Sequence, residues 1–339
     1  MSITDRKKDH VRLCLDDQSA YKKSTGFEAW DLKHNALPEI DFNQVNPSAK
    51  LLGRTFGFPL FISSMTGGYS EAGAVNAVIA SFCEKNNLPF GVGSQRVMLE
   101  KPEEESSFSL VRKYAPTAFI AANIGGSQLA EGLSDTRLRL LADSIRADAI
   151  IVHLNPLQEL MQPEGDLTFA GILKAVESLV RRTGLPVIVK ETGAGISGAV
   201  ALRLYDAGVK VIDVAGAGGT SWSKVENLRT NTRSSLFDEW GIPTAVCLKE
   251  IDALNLPDLE MIASGGIRNV LDMVKAICLG AGFTATAQPV IQAIVEGGED
   301  SLQNLFDGWY RDLCIAMCLL GASSVEDLNP SMLRLVKDN

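Results

Sequence analysis

Histidine, paired cysteines and aromatic residues are scarce in this sequence. Only three histidines occur among 339 residues, and none of the six cysteines belongs to a C-x-x-C pair. Zinc is usually held by clustered cysteine and histidine ligands, so no zinc centre is expected. Cys314 and Cys318 lie four residues apart on one face of a predicted helix, which favours a place in the core over a metal site. Reduced thiols in a chain of this length are typical of the cytosol.

Long apolar runs are also missing. No run reaches the roughly 20 residues that span a bilayer, and the first ten residues, MSITDRKKDH, lack the apolar core of a signal peptide. The net charge of −9 disfavours a general nucleic-acid surface, because phosphate backbones need clustered lysine and arginine. We therefore expect a soluble, cytoplasmic protein without a membrane span or a nucleic-acid partner. A few local cations can still hold a small anion in such a protein.

The sequence does contain a regular alternation of apolar strands and amphipathic helices. The predicted strands are Phe58–Ser64, Leu88–Ser94, Ala118–Asn123, Ala149–Asn155, Pro186–Glu191, Val209–Ala215, Glu260–Ser264 and Phe283–Ala287. The predicted helices include Glu71–Asn86, Asp135–Arg146, Thr168–Arg182, Ser197–Ala207 and Val270–Leu279. Strands that alternate with helices indicate parallel βαβ units. Eight such units predict an α/β fold, a closed (β/α)8 TIM barrel, and a doubly wound sheet is the alternative.

Three parts make up the predicted domain organisation. Residues 1–57 form an N-terminal extension whose apolar anchors, such as Phe27 and Trp30, should pack over the barrel and contribute to the substrate site. About the first dozen residues of this extension are expected to be mobile. Residues 58–322 form the barrel, with a closing helix over 300–322, and residues 323–339 form a C-terminal tail. The long polar segment Gly219–Gly241 is expected to be an active-site lid.

Glycine-rich loops follow the sixth and seventh predicted strands. The first is Gly216-Ala217-Gly218-Gly219-Thr220-Ser221, and the second is Ser264-Gly265-Gly266-Ile267-Arg268-Asn269, which leads into a helix. Glycines let backbone N–H groups approach an anion, and a helix N-terminus adds a favourable dipole. Phosphate sites of these barrels often lie near strands seven and eight. Two such loops side by side predict a phosphate site, whereas either one alone would be an ordinary turn.

Lys190 ends an apolar strand, where an ammonium group is costly to bury without a partner. The sequence leaves two roles open for it. Lys190 can form a Schiff base, or it can donate a hydrogen bond to an electron-rich cofactor ring. Asn123 and Thr66 are neutral side chains suited to the edge of a heteroaromatic ring, and loop capping is an equal alternative for both.

The segment His153-Leu154-Asn155-Pro156-Leu157-Gln158-Glu159 places several polar side chains at the end of the fourth predicted strand. One carboxylate together with substrate phosphate oxygens is a normal arrangement for Mg2+, and solvated loop residues are the alternative. The basic segment Arg6-Lys7-Lys8-Asp9-His10 is a solvated tail when taken alone. If it folds over the barrel mouth, it can supply charge-assisted contacts to phosphate, as can Arg96.

These motifs together resemble those of the type II isopentenyl diphosphate isomerase family. The resemblance lies in Arg6-Lys7-Lys8-Asp9-His10, Ser64-Met65-Thr66-Gly67-Gly68, Gly93-Ser94-Gln95-Arg96, the segment 153–159, Lys190-Glu191, Gly218-Gly219-Thr220-Ser221-Trp222, Glu226-Asn227-Leu228-Arg229 and Gly265-Gly266-Ile267-Arg268. The motifs occur in the family's order from residue 6 to about residue 290. The joint match is specific, whereas the glycine loops alone would fit many FMN barrels.

The resemblance implies an enzyme that interconverts isopentenyl and dimethylallyl diphosphate with reduced FMN, Mg2+ and NADPH as reductant. It also implies a cytoplasmic homo-oligomer, an octamer or a tetramer. The implied FMN contacts are Ser64, Met65, Thr66, Ser94, Asn123, Lys190, Thr220, Gly266, Ile267, Arg268, Ala287 and Gln288. The implied substrate contacts are Arg6, Lys7, His10, Ser94, Gln95, Arg96, His153, Asn155 and Gln158, and Glu159 would bind Mg2+. Gln158, His153 and Lys190 are the candidate catalytic residues.

Three other functions are alternatives to this one. An FMN dehydrogenase or oxidase shares the barrel, but no cysteine nucleophile occurs in Gly216–Trp222 and no histidine follows His153. A Schiff-base aldolase would use Lys190 and would be colourless. A phosphate-binding barrel without enzymatic activity would bind no flavin.

Overall fold

The computed structural model describes residues 3–65, 67–230 and 235–336, and Thr66 lies outside this part of the chain. Eight parallel strands close into a barrel. The strands outside the barrel are Trp30–Leu32 (β1), Ala49–Leu51 (β2), Arg54–Phe56 (β3) and Leu333–Leu335 (β12). The barrel strands are Leu60–Ile62 (β4), Phe90–Gly91 (β5), Ile120–Gly125 (β6), Ala149–Leu154 (β7), Val187–Glu191 (β8), Val211–Asp213 (β9), Glu260–Ala263 (β10) and Phe283–Thr286 (β11). Their order around the barrel is β10-β11-β4-β5-β6-β7-β8-β9.

Closure of the sheet confirms the barrel and excludes the doubly wound alternative. The last strand pairs with the first in parallel, with Thr284 opposite Leu60 and Thr286 opposite Ile62. An open sheet would leave both of these strands at edges. All five residues of β8 are buried, as expected for a parallel strand covered by helices on its outer face and by packed side chains inside the barrel.

Helices surround the barrel, and each of the helices named from the sequence overlaps one of them. They are Ile3–Cys14 (α1), Ser70–Asn86 (α2), Arg96–Glu100 (α3), Ser106–Ser109 (α4), Val111–Tyr114 (α5), Gly126–Ala130 (α6), Asp135–Ser144 (α7), Pro156–Met161 (α8), Ile172–Arg182 (α9), Gly198–Asp206 (α10), Trp222–Thr230 (α11), Thr244–Asp252 (α12), Val270–Cys278 (α13) and Gln288–Leu320 (α14). Ser134, Ser197 and Asn269 each accept a hydrogen bond from a backbone N–H of the first turn, which fixes the start of a helix.

Two helix boundaries differ from the prediction for local reasons. The helix predicted from Thr168 begins at Ile172, because Gly171 adopts a left-handed φ of 86° just before it. The closing helix predicted over 300–322 is the second half of α14. Its first half begins at Gln288, and non-helical angles at Gly297 and Gly298 separate the two halves.

The N-terminal extension packs against the barrel and against the C-terminal segment. Strand β1 pairs antiparallel with β12, with Trp30 opposite Leu335. Helix α1 starts at Ile3 and packs on α11, and the mobility expected for the first dozen residues stays a prediction. Leu13 and Cys14 contact Val225 of α11 in a small apolar cluster. None of the helices in the described ranges is both long and apolar enough to cross a membrane.

The segment predicted as a lid has its own secondary structure. Gly219–Gly241 contains α11, whose Val225 and Glu226 are fully buried. Residues 231–234 of this segment lie outside the described part of the chain. The described part of the segment therefore includes a helix that packs against α1, and its role as an active-site lid stays a prediction.

Candidate active site

The main cavity lies at the carboxyl ends of the barrel strands, where active sites of this fold are found. Each strand contributes a residue at or just after its end, and α1 and α11 close one side. The lining residues include Ser63, Ser64, Met65, Ser94, Asn123, His153, Gln158, Lys190, Gly216, Thr220, Trp222, Ser264, Gly265, Gly266, Ile267, Arg268, Ala287 and Gln288. Nearly all of the residues predicted to bind FMN therefore meet in one cavity.

The two glycine loops pack so tightly that side chains would not fit. A Cβ atom on Gly265 would lie 2.0 Å from the carbonyl oxygen of Gly216, and φ of Gly265 is 93°. A Cβ atom on Gly219 would lie 2.7 Å from the backbone N of Gly266. The loops are therefore adjacent backbone surfaces at the start of α13, as a phosphate site requires.

Residues of the N-terminal extension hold these loops in place. The Tyr21 backbone N donates to the Gly219 carbonyl oxygen at 2.9 Å, and the Ser221 N donates to the Ser19 oxygen at 2.8 Å. Thr25 packs against the loops, since a Cβ atom on Gly266 would lie 2.4 Å from its Cγ2 atom. The extension thus forms part of the wall behind the predicted phosphate site.

One polar atom of the cavity is buried without a partner. The Ser64 hydroxyl has no hydrogen-bond partner among the described residues, although the atom is inaccessible to solvent. A buried hydroxyl of this kind usually pairs with something. A polar ligand in the cavity would supply that partner, and FMN fits the combination of a free hydroxyl, neutral amides and a glycine-lined phosphate site.

Lys190 is buried at the end of β8 and faces two oxygen acceptors. Its Nζ donates to the carbonyl oxygen of Glu191 at 2.7 Å and lies 3.8 Å from Oδ2 of Asp213, at the end of β9. The Ser264 hydroxyl donates to Asp213 Oδ1, as does the Ala215 backbone N at 3.3 Å. Burial raises the pKa of Asp213, and the Lys190 ammonium opposes that rise. Asp213 is the partner that makes this buried ammonium tolerable.

His153 is held as a neutral imidazole. Its Nδ1 lies 2.7 Å from Oδ1 of Asn123 on the neighbouring strand. Burial lowers the pKa of His153 to about 3, and the charges of Lys190 and Lys7 lower it further. With the proton on Nδ1 donated to Asn123, the Nε2 lone pair is left as an acceptor. His153 therefore carries no charge at neutral pH in the absence of an anion.

A second cavity adjoins the first and is bounded by α1, which brings the basic N-terminal motif to the site. Its lining includes Arg6, Lys7, His10, Met65, Ser94, Arg96, Gln128, His153, Asn155, Gln158, Glu159, Gln162 and Trp222. The two cavities share Met65, Ser94, His153, Gln158 and Trp222. A ligand in one cavity would therefore lie next to a ligand in the other.

Lys7 and His10 are both fixed within this second cavity. The Lys7 Nζ donates to the carbonyl oxygens of Gly67 and Ser94, each at 2.8 Å. Burial lowers the pKa of Lys7 to about 7, and the charge of Arg6 lowers it further. His10 Nε2 lies 2.7 Å from Oε1 of Glu226, which is fully buried.

Glu226 also anchors the cavity from the side of α11. Its Oε2 accepts from Nε of Arg229 at 2.7 Å, and Arg229 reaches Glu164 at 2.8 Å. The contact between Arg229 and Glu164 connects α11 to the loop after α8. Through His10, the Glu226 carboxylate connects α11 to α1.

Glu159 is a buried carboxylate in the lining of the second cavity. Its Oε1 accepts from the Asn155 side chain at 2.9 Å, and its Oε2 accepts from Gln162 at 2.6 Å and from the Asp166 backbone N at 2.8 Å. No group of three or more histidine, cysteine, aspartate or glutamate residues suited to a metal occurs in the part of the chain that is described. A cation at Glu159 would therefore need most of its ligands from substrate and water.

Gln95 is the predicted site residue that the structure does not bring to either cavity. Its side chain is fully buried and donates to the Leu141 carbonyl oxygen at 3.0 Å. Its Oε1 accepts from the Asn123 backbone N at 3.0 Å. These bonds direct the amide away from both cavities, so Gln95 stabilises the backbone of Asn123 and lines neither cavity. Arg96 does line the second cavity, where its Nε donates to Glu100 at 2.8 Å. The position predicted for Thr66 lies outside the described residues.

Some residues at or behind the cavities were missed in the sequence. Asp213 ends an apolar strand, so the strand-end rule that selected Lys190 could have placed it at this end of the barrel, but not as the partner of Lys190. Cys14 lies on a helix that the sequence did not predict, and no sequence signal placed it at the cavity. Trp222 ends one of the motifs of the family resemblance, although no role was predicted for it. Gln128 lies in α6, directly after the end of β6.

Comparison with known proteins agrees with this geometry. Residues 153–335 match the family model of FMN-dependent dehydrogenases. Solved structures with the same fold include the flavin-binding domain of baker's yeast flavocytochrome b2, with a TM-score of 0.71, 19% identity and coverage of 94% of this chain and 80% of that one. A mandelate oxidase mutant has a TM-score of 0.64 at 19% identity and covers 97% and 92%. At this identity the likeness shows the fold alone.

Curated relatives are far more similar in sequence. The isopentenyl-diphosphate delta-isomerase of Chlorobium luteolum is 45% identical over 344 residues, which cover 96% of this chain and 94% of the relative. The protein of that name from Chlorobium phaeobacteroides is 46% identical, with 98% and 95% covered. The one from a Nostoc species is 44% identical, with 96% and 94% covered.

The chain belongs to the isopentenyl-diphosphate delta-isomerase family. This confirms the resemblance found in the motifs and makes the chain an enzyme of that family with an FMN-dependent dehydrogenase domain. The two adjoining cavities lie at one end of the barrel, and residues of α1 and α11 line the second one.

Proposed function

We propose that this protein interconverts isopentenyl diphosphate and dimethylallyl diphosphate, with FMN in the first cavity and the diphosphate in the second. The observation that carries the proposal is the shared wall of the two cavities in a chain about 45% identical to curated isomerases over nearly its whole length. A five-carbon substrate anchored by its diphosphate in the second cavity would place its double bond at that shared wall.

The first cavity suits FMN through groups of different character. The glycine loops and the start of α13 would hold the phosphate, with Arg268 beside them. Ser64, Asn123 and Lys190 would meet the polar edges of the ring system. Thr66 remains a proposed contact from the motif alone. Two roles were open for Lys190, and its pairing with Asp213 favours the one in which it donates a hydrogen bond to the cofactor ring over the one in which it forms a Schiff base.

The second cavity suits a diphosphate because cations line it on several sides. Arg6, Lys7 and Arg96 face it, and Ser94 and Asn155 add neutral donors. Mg2+ would bind Glu159 together with phosphate oxygens, in keeping with the sparse protein ligand set. Bound anion would oppose the positive charges that lower the pKa of His153, so His153 would become a better proton acceptor or donor when substrate is present.

The reaction adds a proton at one end of a double bond and removes a proton from the carbon next to its other end, so that the double bond shifts by one position. Reduced FMN supplies, when bound, a proton donor at ring nitrogen N5 and an electron-rich ring that stabilises positive charge on carbon. Gln158, which lies in both cavities, would orient the reacting carbons, and Trp222 would help to exclude water from them. Remote diphosphate binding then positions the alkene, so that binding energy is used for orientation.

Reduction by NADPH and assembly into an octamer or a tetramer follow from the family resemblance and stay predictions. The function is tested by two measurements on the purified protein. A visible spectrum should show bound flavin, and proton NMR should show isopentenyl diphosphate converting to dimethylallyl diphosphate after reduction with dithionite and addition of Mg2+. A colourless protein, or a flavoprotein that consumes NADPH in proportion to product, would contradict the proposal.

A further inference from the structure

The strand-end pair Lys190 and Asp213 is not explained by hydrogen bonding to a cofactor alone. Lys190 needs a buried acceptor, and the Glu191 carbonyl oxygen already supplies one at 2.7 Å. Asp213 adds a full negative charge 3.8 Å away, in a position that is 4% exposed. The charge of the Asp213 carboxylate offsets the charge of the Lys190 ammonium, which a neutral acceptor such as a carbonyl oxygen would not do.

Asp213 is itself held in one orientation. The Ser264 hydroxyl and the Ala215 backbone N both donate to Oδ1, which leaves Oδ2 directed at the ammonium. Lys190, Ala215 and Ser264 line the FMN cavity, and Asp213 lies behind them. The carboxylate therefore acts on the cavity through Lys190 and does not line it.

We propose that Asp213 is a positioning residue that balances the charge of Lys190, so that the ammonium donates to the flavin without adding net positive charge beside it. The inference rests on the proposed binding of FMN. It explains why a lysine is tolerated at the end of an apolar strand. It also assigns to Asp213 a measurable role, which is to keep the flavin harder to reduce than an unbalanced lysine would.

The physical reason is the charge that reduction adds to the flavin. Two-electron reduction makes the ring system more negative, so an unpaired cation nearby favours the reduced form. Asp213→Asn keeps the size of the side chain and removes its charge. The variant should shift the reduction equilibrium at least about tenfold towards reduced FMN, which is about 30 mV for a two-electron couple.

A double variant separates this role from a general loss of structure. Without Lys190 the buried Asp213 loses the charge that opposes the rise of its pKa, which shifts this carboxyl further towards its neutral form. In a Lys190→Met background, Asp213→Asn should then change the reduction equilibrium of FMN by less than about twofold, because an amide and a neutral acid carry the same charge. Asp206→Asn, which removes an exposed carboxylate at the end of α10, is the control and should leave the equilibrium unchanged.

The experiment measures the midpoint potential of bound FMN in the holoprotein, by equilibration with a reference dye, for the wild type and these variants. An unchanged or lower potential in Asp213→Asn overturns the inference, as does an equal shift in the Lys190→Met background. If Asp213→Asn does not fold, Ser264→Ala is used instead. Loss of the hydrogen bond from Ser264 to Asp213 should also raise the midpoint potential, by less than Asp213→Asn is expected to raise it. An unchanged or lower potential in Ser264→Ala again overturns the inference. Wild-type protein that retains no FMN would sink the proposed function together with the inference, whereas bound FMN with a null Asp213→Asn result sinks the inference alone.

Discussion

Replacing Lys7 by methionine should weaken substrate use far more than the same change at the next residue, Lys8. Both lysines lie on α1, but only Lys7 points into the second cavity, where it donates to the carbonyl oxygens of Gly67 and Ser94. Lys8 pairs with Glu71 at 2.7 Å on the surface, where 44% of its side chain is exposed. Methionine keeps the apolar stem and removes the charge in both variants.

The magnitude follows from the environment of each charge. A unit charge about 4 Å from a phosphate oxygen contributes about 4 kcal/mol at an effective dielectric of about 20, and neutralisation by Mg2+ and solvent can halve this. Two to four kcal/mol corresponds to a loss of about 30-fold to about 1000-fold in kcat/KM for Lys7→Met. An exposed pair contributes about 0–1 kcal/mol, so Lys8→Met should lose less than about fivefold.

The assay measures initial isomerisation rates by proton NMR over a range of substrate concentrations, with reduced FMN and Mg2+ fixed. The loss at Lys7 should appear mainly as a raised KM, because the charge binds the diphosphate and not the alkene. Wild-type kinetics in Lys7→Met, or equal losses in the two variants, would refute the placement of the diphosphate.

The remaining predictions address pH, chemistry, cofactor and metal in turn. Because the pKa of Lys7 is about 7 in the free enzyme, its ammonium is present below that pH and lost above it. The kcat/KM of the wild type should therefore fall above about pH 7, and the pH profile of Lys7→Met should lack this fall. Gln158→Leu should lower kcat more than it raises KM in steady-state kinetics, since Gln158 lies where the cavities meet. Gly265→Ala should weaken FMN binding at least about 100-fold in a fluorescence titration or prevent folding, whereas Gly282→Ala, with open space around the new Cβ atom, should do neither. Glu159→Gln should raise the Mg2+ concentration needed for half-maximal rate while FMN affinity stays unchanged, and a lowered FMN affinity would contradict this.

The barrel was predictable because its signals are local. Each strand is a short apolar run that ends in polar residues, and the predicted strands overlap all eight that form the barrel. Side chains at the ends of parallel strands must meet at one end of the barrel, whatever the details of the loops. Lys190, Asn123 and the glycine loops could therefore be assigned to one cavity from spacing and chain order.

The parts that could not be predicted depend on contacts between distant segments. Alone, α1 is a charged segment with a weak apolar face, and it becomes fixed through His10 and the buried Glu226, 216 residues later in the chain. The family resemblance implied that Gln95 contacts the substrate. In the structure its amide donates to the Leu141 carbonyl oxygen, a contact that only the packed structure reveals.

The partner of Lys190 is another feature that the sequence alone could not identify. The cost of burying an ammonium predicts that a partner exists, but the residue that serves is set by the register between β8 and β9, which places Asp213 opposite Lys190. Burial and pairing together then determine the charge in the cavity. Sequence spacing alone contains no information about that register.

The central claim is that a double bond is isomerised beside reduced FMN, with its diphosphate held under α1. The most direct measurement compares three samples in an anaerobic proton NMR assay with isopentenyl diphosphate and Mg2+: flavin-free protein, protein with oxidised FMN, and protein with FMN reduced by dithionite. The account predicts dimethylallyl diphosphate in the reduced sample only, with no net consumption of reductant. Full activity in either of the other two samples would contradict it.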